Sequence, residues 1–264
     1  MDRPLAIVKC PASTLADRCE LSFIERSPMS FDALERQHRA YRNALETAGA
    51  EVVALDADPA LPDSVFVEDT AVVLDEIAVI ARPGAASRQA EPDRIEAEIA
   101  CHRSIVRIIA PGTLEGGDVL RIGRTLYVGL STRSNREGVE QLTTLVRPHG
   151  YGVVPVRVSG SLHLKTACTA LDACTVLLNP AWLDVAAFAD LRTLEVHVDE
   201  PFAANVLPVG ETLIANAAFP RTFEYVDAHA RNAGREVVAV DISEFGKAEA
   251  GLTCMSLIFG GGRA

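Results

Sequence analysis

The stretch "EDTAVVLDEIAVIARPG", residues 68–84, decides the fold. Its two aliphatic runs, 71–74 and 77–81, have the composition of short β-strands. Asp75 lies between them, at a position where a hairpin turn commonly carries Asp or Gly. The stretch therefore predicts an antiparallel hairpin, and two carboxylates stand immediately before its first strand.

The same pattern returns along the chain. Three further full copies carry Gly123, Asp172 and Gly210 at the turn. They are "EGGDVLRIGRTLYVGLS" (115–131), "HLKTACTALDACTVLLNP" (163–180) and "AANVLPVGETLIANAAFP" (203–220). "LTCMSLIFG", residues 252–260, is half of a fifth copy, and "LAIVKC", residues 5–10, could supply its partner strand and close a ring.

Helical segments separate the hairpins. Residues 30–48 place apolar side chains on one face, Pro92 and Pro220 could open two more helices, and Ser134 with Glu137 predicts a capping box. A further short strand follows each of these helices, in "AEVVALD", "SIVRIIA", "GVVPVRV" and "EVVAVDI". The unit is strand, strand, helix, strand, with a period of about 40–50 residues that is typical of propellers and arrays.

These repeats predict an α/β protein in which residues 1–264 form a single domain. Five units whose termini meet in one sheet favour a five-bladed α/β propeller around a pseudo-fivefold axis. A conventional open α/β sheet is the alternative, but hairpins inside each unit argue against purely parallel winding.

Composition excludes some classes of partner. The chain has 264 residues, 48% of them hydrophobic, and a formal net charge of −11. A nucleic-acid partner needs a basic face, and no run approaches the ~18 apolar residues of a membrane span. Residues 1–11 lack the apolar run of a signal peptide. We expect a cytoplasmic protein, without nucleic-acid or membrane partners, whose six cysteines stay reduced.

Chemically capable side chains occupy the same phase of each copy, just before or inside its first strand. They are Glu68 and Asp69, Glu115 and Asp118, His163 and Lys165, Asn205, and Cys254. In a ring of equivalent units, these positions converge near the axis. A Cys can act as a nucleophile and a His can move protons, while carboxylates can hold a guanidinium in a bidentate fork. The pattern favours thiol chemistry on a cationic guanidine.

Six motifs stand in order along nearly the whole chain: "LPDSVFVEDTAVV" (61–73), "ARPGAASR" (81–88), "APGTLEGGDVL" (110–120), "GLSTRSN" (129–135), "LHLKTA" (162–167) and "LTCMSLIF" (252–259). Together they resemble the dimethylarginine dimethylaminohydrolase family of the guanidino-group modifying (pentein) superfamily. The resemblance implies a five-bladed α/β propeller. It also implies hydrolysis of Nω-methylated arginine to citrulline and methylamine or dimethylamine, with no cofactor and no metal.

The resemblance assigns the catalytic roles. Cys254 is the nucleophile that forms a covalent thiouronium with the guanidinium carbon. His163 protonates the leaving amine and then activates the hydrolytic water. Glu115 and Asp69 hold the guanidinium nitrogens.

The resemblance also assigns residues to the amino-acid end of the substrate. Asp63 is similar to the residue that meets the α-amino group. Arg88 and Arg133 match the pair that binds the α-carboxylate, and Glu68 resembles a supporting carboxylate. The expected partner is a small cationic guanidino amino acid, and the protein is a monomer or a homodimer.

Two segments depart from the family pattern. "LADRCELSFIERSPMS", residues 15–30, is less familiar; it contains Leu21 and should close over the bound amino acid. Plain arginine and other guanidines therefore stay open as substrates. Gly116 stands where we expect a small residue such as alanine, a change that we interpret as harmless.

Other interpretations remain open. An arginine deiminase-like hydrolase or an amidinotransferase would use a similar core, but those enzymes are typically longer. A ribosome anti-association factor has the same fold without catalysis, so a non-catalytic binding module is a further alternative. We interpret the acids of "VFVEDT", residues 65–70, as partners of a substrate cation and not of a structural Arg. The alternative is that Asp63, Glu68 and Asp69 pair with Arg82 or Arg88 as a structural network.

Acidic neighbours raise the pKa of a thiol, and a bound cation lowers it. We therefore expect the substrate to help ionise Cys254.

Overall fold

The computed structural model describes residues 3–260, which form five three-stranded sheets. Within each sheet the central strand is antiparallel to one neighbour and parallel to the other. The strands are β1 (Pro4–Lys9), β2 (Glu51–Leu55), β3 (Ala71–Val73), β4 (Ile77–Ile80), β5 (Ser104–Arg107), β6 (Val119–Ile122), β7 (Thr125–Leu130), β8 (Gly152–Arg157), β9 (Cys168–Ala170), β10 (Thr175–Leu178), β11 (Arg192–Glu195), β12 (Leu207–Val209), β13 (Thr212–Asn216), β14 (Glu236–Val240) and β15 (Leu257–Gly260). The sheet orders are β15-β1-β2, β3-β4-β5, β6-β7-β8, β9-β10-β11 and β12-β13-β14. The predicted hairpins are thereby confirmed.

Helices connect the second and third strands in four of the units. The α-helices are α1 (Leu15–Arg18), α2 (Phe31–Thr47), α3 (Glu91–Ala100), α4 (Arg136–Val146), α5 (Leu164–Ala167), α6 (Pro220–Asn232) and α7 (Ser243–Gly246). The unit that contains β9 differs, because a short 3-10 turn at Val185–Phe188 leads to β11 instead of a helix. That turn and strand lack the periodic apolar pattern that identified the other connections. Within residues 3–260, no helix is long and apolar enough to cross a membrane.

Helix α4 begins differently from the sequence prediction. The side chain of Asn135 caps the helix by accepting from the backbone N–H of Gly138, so Ser134 is not the cap and the predicted capping box is wrong. The Ser134 hydroxyl instead accepts from the backbone N–H of Glu115 at 3.1 Å. Ser134 thus positions the start of the neighbouring "EGGD" turn.

Hydrophobic contacts join the sheets in a cycle. Each of five buried clusters combines side chains of two sheets. If each sheet is named by its first strand in the chain, the clusters join sheet β1 to sheet β3, β3 to β6, β6 to β9, β9 to β12, and β12 to β1. The last pairing returns to the first sheet, which agrees with five repeated units whose ends meet.

The first sheet contains both ends of the described chain. β1 pairs with β15 in antiparallel register, with Leu5 opposite Phe259 and Ile7 opposite Leu257. The predicted pairing of residues 5–10 with the C-terminal half-copy is confirmed. This pairing brings the turn that precedes β15, which carries Cys254, against the turn Val67–Thr70.

Helix α2 stabilises the largest cluster through its apolar face. Leu45 is fully buried there, whereas Glu46, the next residue on the same helix, is exposed. We expect Leu45→Ala to lower the free energy of unfolding by about 2–5 kcal/mol, because it removes buried methyl groups and leaves a cavity. Glu46→Ala should change it by no more than about 0.5 kcal/mol. Urea denaturation measures both; equal losses would contradict this account of the core.

Candidate active site

Short helical turns precede the first strand of the hairpins, and they carry the predicted site residues. Asp63 lies on the turn Pro62–Val65, and Glu68 and Asp69 lie on Val67–Thr70 before β3. Glu115 begins the turn Gly116–Asp118 before β6, His163 directly precedes α5 and β9, and Cys254 lies on Thr253–Met255 before β15. Residues that stand at equivalent positions of the sequence repeats therefore stand at equivalent positions of the sheets.

One narrow cavity collects most of these side chains. Asp63, Asp69, Arg88, Arg133, His163 and Cys254 line it, together with Glu20, Phe66, Leu162, Ala248, Glu249 and Ala250. Glu115 and Glu68 do not line the cavity; each lies behind it and contacts residues at the site.

His163 lies between two carboxylates. Its Nε2 is 2.7 Å from Glu115 Oε2, and its Nδ1 is 3.8 Å from Asp69 Oδ1. Burial alone would lower the imidazole pKa, but the charge of Asp69, the hydrogen bond with Glu115 and the charge of Asp118 outweigh it and raise the pKa to about 9. His163 is therefore an imidazolium at neutral pH and can donate a proton.

Cys254 is buried in the wall of the cavity. Burial first, and then the negative charges of Glu68 and Asp69, raise the pKa of its thiol well above the ordinary value. The backbone N–H of Gly251 donates to the sulfur at 3.3 Å and acts in the opposite direction. The thiol is thus protonated in the unliganded protein at neutral pH, in agreement with the sequence-based expectation for a Cys among acids.

Asp69 has a cationic partner within the protein. Arg88 is 3% exposed, and its Nη1 lies 2.7 Å from Asp69 Oδ2. The same guanidinium also contacts Glu91, three residues along, at 2.8 Å. The structural network that the sequence left open therefore exists for Asp69. Glu91 was missed, although its i,i+3 spacing from a buried Arg was a readable signal.

Glu68 is also paired within the protein. Lys165 Nζ donates to Glu68 Oε1 at 2.5 Å, and the Thr253 hydroxyl donates to Oε2 at 2.7 Å. The amide nitrogen of Asn205 donates to the Lys165 carbonyl oxygen and to Thr253 Oγ1. The interpretation that the acids of "VFVEDT" have no structural Arg is thus wrong for Asp69, which Arg88 contacts, and Glu68 has a different structural cation, Lys165. The pair Glu68–Lys165 ties the Cys254 turn to the neighbouring units.

Arg133 and Asp63 both contact the segment 15–30. Arg133 Nη2 donates to Ser22 Oγ at 2.9 Å, while its buried Nη1 makes no hydrogen bond within residues 3–260 and lies 3.6 Å from Glu115 Oε1. Asp63 accepts from the backbone N–H of Glu20 at 3.0 and 3.2 Å. The predicted binders of the two ends of an amino acid therefore lie under this segment, and Arg133 keeps an unused donor.

The segment 15–30 covers one side of the cavity. Leu21 packs, partly buried, against the hydrophobic cluster that also contains Cys19. Its neighbour Glu20 lines the cavity, whereas the side chain of Leu21 is not part of the wall. A role for Leu21 in binding thus remains a prediction that concerns its backbone.

Two glycines allow the turns to approach one another. A Cβ on Gly116 would lie 1.9 Å from the Glu68 carbonyl oxygen, and one on Gly117 would lie 2.7 Å from both Asp69 Oδ1 and His163 Nδ1. Gly117 N–H donates to Asp69 Oδ1 at 3.0 Å. This backbone therefore requires glycine at 116, and an alanine there would not fit.

Asp69, Glu115 and His163 offer ligand atoms that lie within 4.8 Å of one another. The donor set fits a metal poorly, because Arg88 already contacts Asp69 and the imidazolium of His163 already contacts Glu115. The prediction that the protein uses no metal and no cofactor stays a prediction.

Comparison with known proteins decides the family. The family model described as N,N dimethylarginine dimethylhydrolase, eukaryotic, matches residues 24–171. The N(G),N(G)-dimethylarginine dimethylaminohydrolase of Pseudomonas aeruginosa is 37% identical over 255 residues, which cover 96% of this chain and 98% of that protein. The chain belongs to the dimethylarginine dimethylaminohydrolase family. The enzyme of the same name from Streptomyces coelicolor is 41% identical over 255 residues, covering 96% of this chain and 95% of the other. The resemblance deduced from the six motifs is confirmed.

Solved structures of this family have the same fold. A cysteine-to-serine mutant of the dimethylarginine dimethylaminohydrolase from Pseudomonas aeruginosa, complexed with citrulline, superposes with a TM-score of 0.88 at 34% identity, covering 98% of this chain and all of that one. The N-terminal domain of a cyanobacterial arginine dihydrolase superposes with a TM-score of 0.81 at 19% identity and covers 97% of each chain. At that identity the second comparison shows the fold alone.

The raised pKa of His163 generates a prediction for folding stability. The folded-state pKa of about 9 lies above the ordinary value of 6.5. The charged imidazole therefore stabilises the folded protein fully below pH 6.5, and this contribution disappears as the pH rises through about 9.

NMR of 13C,15N-histidine-labelled protein should show one signal with a midpoint near pH 9, absent from His163→Asn. Glu115→Gln should shift that midpoint to lower pH, because it removes the adjacent negative charge. A midpoint at or below 6.5 in the native protein would refute the assigned ion pair.

Proposed function

We propose that this protein hydrolyses the guanidino group of Nω-methylated arginine, producing citrulline and methylamine or dimethylamine. Membership of the dimethylarginine dimethylaminohydrolase family supports the reaction class. The observation that carries the proposal is that Cys254 and His163 line one cavity, with Glu115 hydrogen-bonded to His163 from behind it, and that Arg133 in the same wall has a nitrogen without a hydrogen bond to residues 3–260.

The first half-reaction forms a thiouronium. When the substrate cation is bound, the Cys254 thiol loses its proton to solvent, and the thiolate sulfur attacks the central carbon of the guanidinium to form a carbon–sulfur bond. His163, protonated at neutral pH, gives its proton to the leaving nitrogen, and the carbon–nitrogen bond to the methylated amine breaks. The amine leaves, and the amidino carbon remains bound to sulfur.

The second half-reaction restores the thiol. His163, now neutral, takes a proton from water, and the water oxygen attacks the thiouronium carbon. The carbon–sulfur bond then breaks, and the proton of the added hydroxyl passes to the departing sulfur, which leaves the ureido group of citrulline and the Cys254 thiol. Glu115, 2.7 Å from Nε2, orients the imidazole and stabilises its charged form in both halves.

Substrate recognition divides between the two ends of the amino acid. Asp69 holds the guanidinium nitrogens; each carboxylate oxygen accepts two hydrogen bonds, so Asp69 can bind the substrate beside Arg88. Glu115 lies behind the cavity with His163 and the Gly84 N–H on its oxygens, so we assign it to His163 and not to the substrate. Arg133 and Arg88 receive the α-carboxylate, and Asp63 receives the α-amino group. Buried Glu68 supports the Cys254 turn through Thr253 and does not line the cavity.

The wider predictions belong to the same proposal. We infer that the five sheets are the blades of a propeller, that residues 1–264 are one catalytic domain, and that Leu21 contacts substrate through its backbone. A cytoplasmic location, the absence of nucleic-acid and membrane partners, and a monomeric or homodimeric state stay predictions from the sequence.

The decisive experiment compares product formation from asymmetric dimethylarginine, monomethylarginine and arginine. Native protein should release citrulline from the methylated substrates, and Cys254→Ser should release none, because a hydroxyl is a far weaker nucleophile than a thiolate. Citrulline from arginine alone would support the deiminase-like alternative. Citrulline from none would favour another guanidine or the non-catalytic binding module.

A second experiment tests whether the bound substrate promotes ionisation of the Cys254 thiol. Since burial and two carboxylates raise the thiol pKa, while a guanidinium beside the sulfur would lower it, kcat should reach its plateau at lower pH than kcat/KM does. Iodoacetamide should modify Cys254 of the free protein slowly at neutral pH, with exposed Cys101 as the internal control in peptide mass spectra. A Cys254 that ionises well below about 8.5 would contradict the mechanism.

A further inference from the structure

Glu249 holds the segment 15–30, here called the lid, through its carboxylate. Its Oε1 accepts from the backbone N–H groups of three consecutive lid residues, Ser22 at 3.1 Å, Phe23, and Ile24 at 2.7 Å. Its Oε2 accepts again from Ser22 at 3.0 Å. Hydrogen bonds to an ionised acceptor are the stronger kind, so this single side chain fixes the path of the lid backbone.

The backbone of Glu249 adopts a conformation that glutamate rarely accepts. Its φ is 60°, which makes it the one non-glycine residue with a positive φ among residues 3–260. Such a conformation persists only when its surroundings enforce it, and it is common where a segment must be held for function. Here it aims the carboxylate at the lid while Glu249 and Ala250 line the cavity.

Among the other polar contacts of the lid, which include Ser87 with Glu20, Glu244 with Ser30 and Lys247 with Pro28, two use residues that the substrate also needs. Asp63 accepts from the N–H of Glu20, and Arg133 donates to Ser22 Oγ. In the proposed function these two side chains bind the α-amino and α-carboxylate groups of the substrate. Glu249 has no assigned contact with substrate, so its hydrogen bonds to the lid do not compete with substrate binding.

We propose that Glu249 is a positioning residue that latches the lid over the bound amino acid. The expected rise in KM rests on the proposed function, whereas the expected loosening of the lid does not. The latch holds the lid in the conformation that covers the bound amino acid, whichever guanidine occupies the cavity. A lid that is latched only part of the time raises the apparent dissociation constant by the inverse of the closed fraction.

Two substitutions separate latching from folding. Glu249→Gln keeps the shape and removes the charge. Glu249→Gly removes the latch and also relieves the positive φ, so its melting temperature should not fall. Both should raise KM about tenfold or more, while kcat changes by less than about threefold, because a lost charge-assisted contact at the lid leaves Cys254 and His163 in place. Exposed Glu211→Gln is the charge-matched control and should match native protein.

Limited digestion with trypsin probes the mobility of the lid independently of catalytic activity. Arg18 and Arg26 flank the latched residues, and Arg26 is exposed. Limited digestion of the full-length protein, followed by mass spectrometry, should show faster cleavage at these sites in both Glu249 variants than in native protein and Glu211→Gln. Faster cleavage together with a raised KM would support the latch.

The outcomes distinguish this inference from the proposed function. Unchanged cleavage in both Glu249 variants would overturn the latch whatever the kinetics, as would an unchanged KM in folded Glu249→Gly. Faster cleavage in variants of a protein whose native form acts on none of the guanidines would support the latch and overturn the proposed function.

Discussion

The antiparallel pairing of β1 with β15 is the contact on which the site depends. It places the turn of Cys254 beside turns that lie nearly two hundred residues earlier in the chain, such as the one that carries Glu68. The five buried clusters make the same cyclic closure in apolar contacts. Separation of this one pair of strands would leave the nucleophile without the histidine and carboxylates with which it shares a cavity.

Charge compensation then determines the chemistry of each group. A buried ion is costly unless a partner replaces its hydration, and the site meets this requirement pair by pair, with Glu68 on Lys165, Asp69 on Arg88, and Glu115 on His163. At Cys254, burial and the charges of Glu68 and Asp69 outweigh the opposing charge of Lys165 and raise the thiol pKa, so the thiol stays protonated. The same arrangement keeps the imidazole charged and ready to protonate a leaving amine.

The lid connects this electrostatic arrangement to binding. Its backbone crosses the cavity wall at Glu20, and its hydrogen bonds reach Asp63, Arg133 and Glu249. Two of these three anchors are expected to serve the substrate as well, which couples occupancy of the cavity to the position of the lid. The third anchor is independent of the substrate and lies five residues before the nucleophile in sequence.

The sequence by itself determined the repeats, the hairpin turns and the closing strand pair, because aliphatic runs and turn residues are local signals that do not depend on the tertiary contacts. It also determined the family, through the six motifs. It also indicated which side chains converge, since equivalent positions of a repeat occupy equivalent places. Only the tertiary structure decided the partners of Asp69 and Glu68, the cap of α4, the need for glycine at 116, and the hydrogen bonds of Glu249 to the lid backbone. Except for the α4 cap, which joins Asn135 to Gly138, those contacts join residues that are distant in the chain or depend on how closely two backbone segments approach, and a local sequence pattern specifies neither.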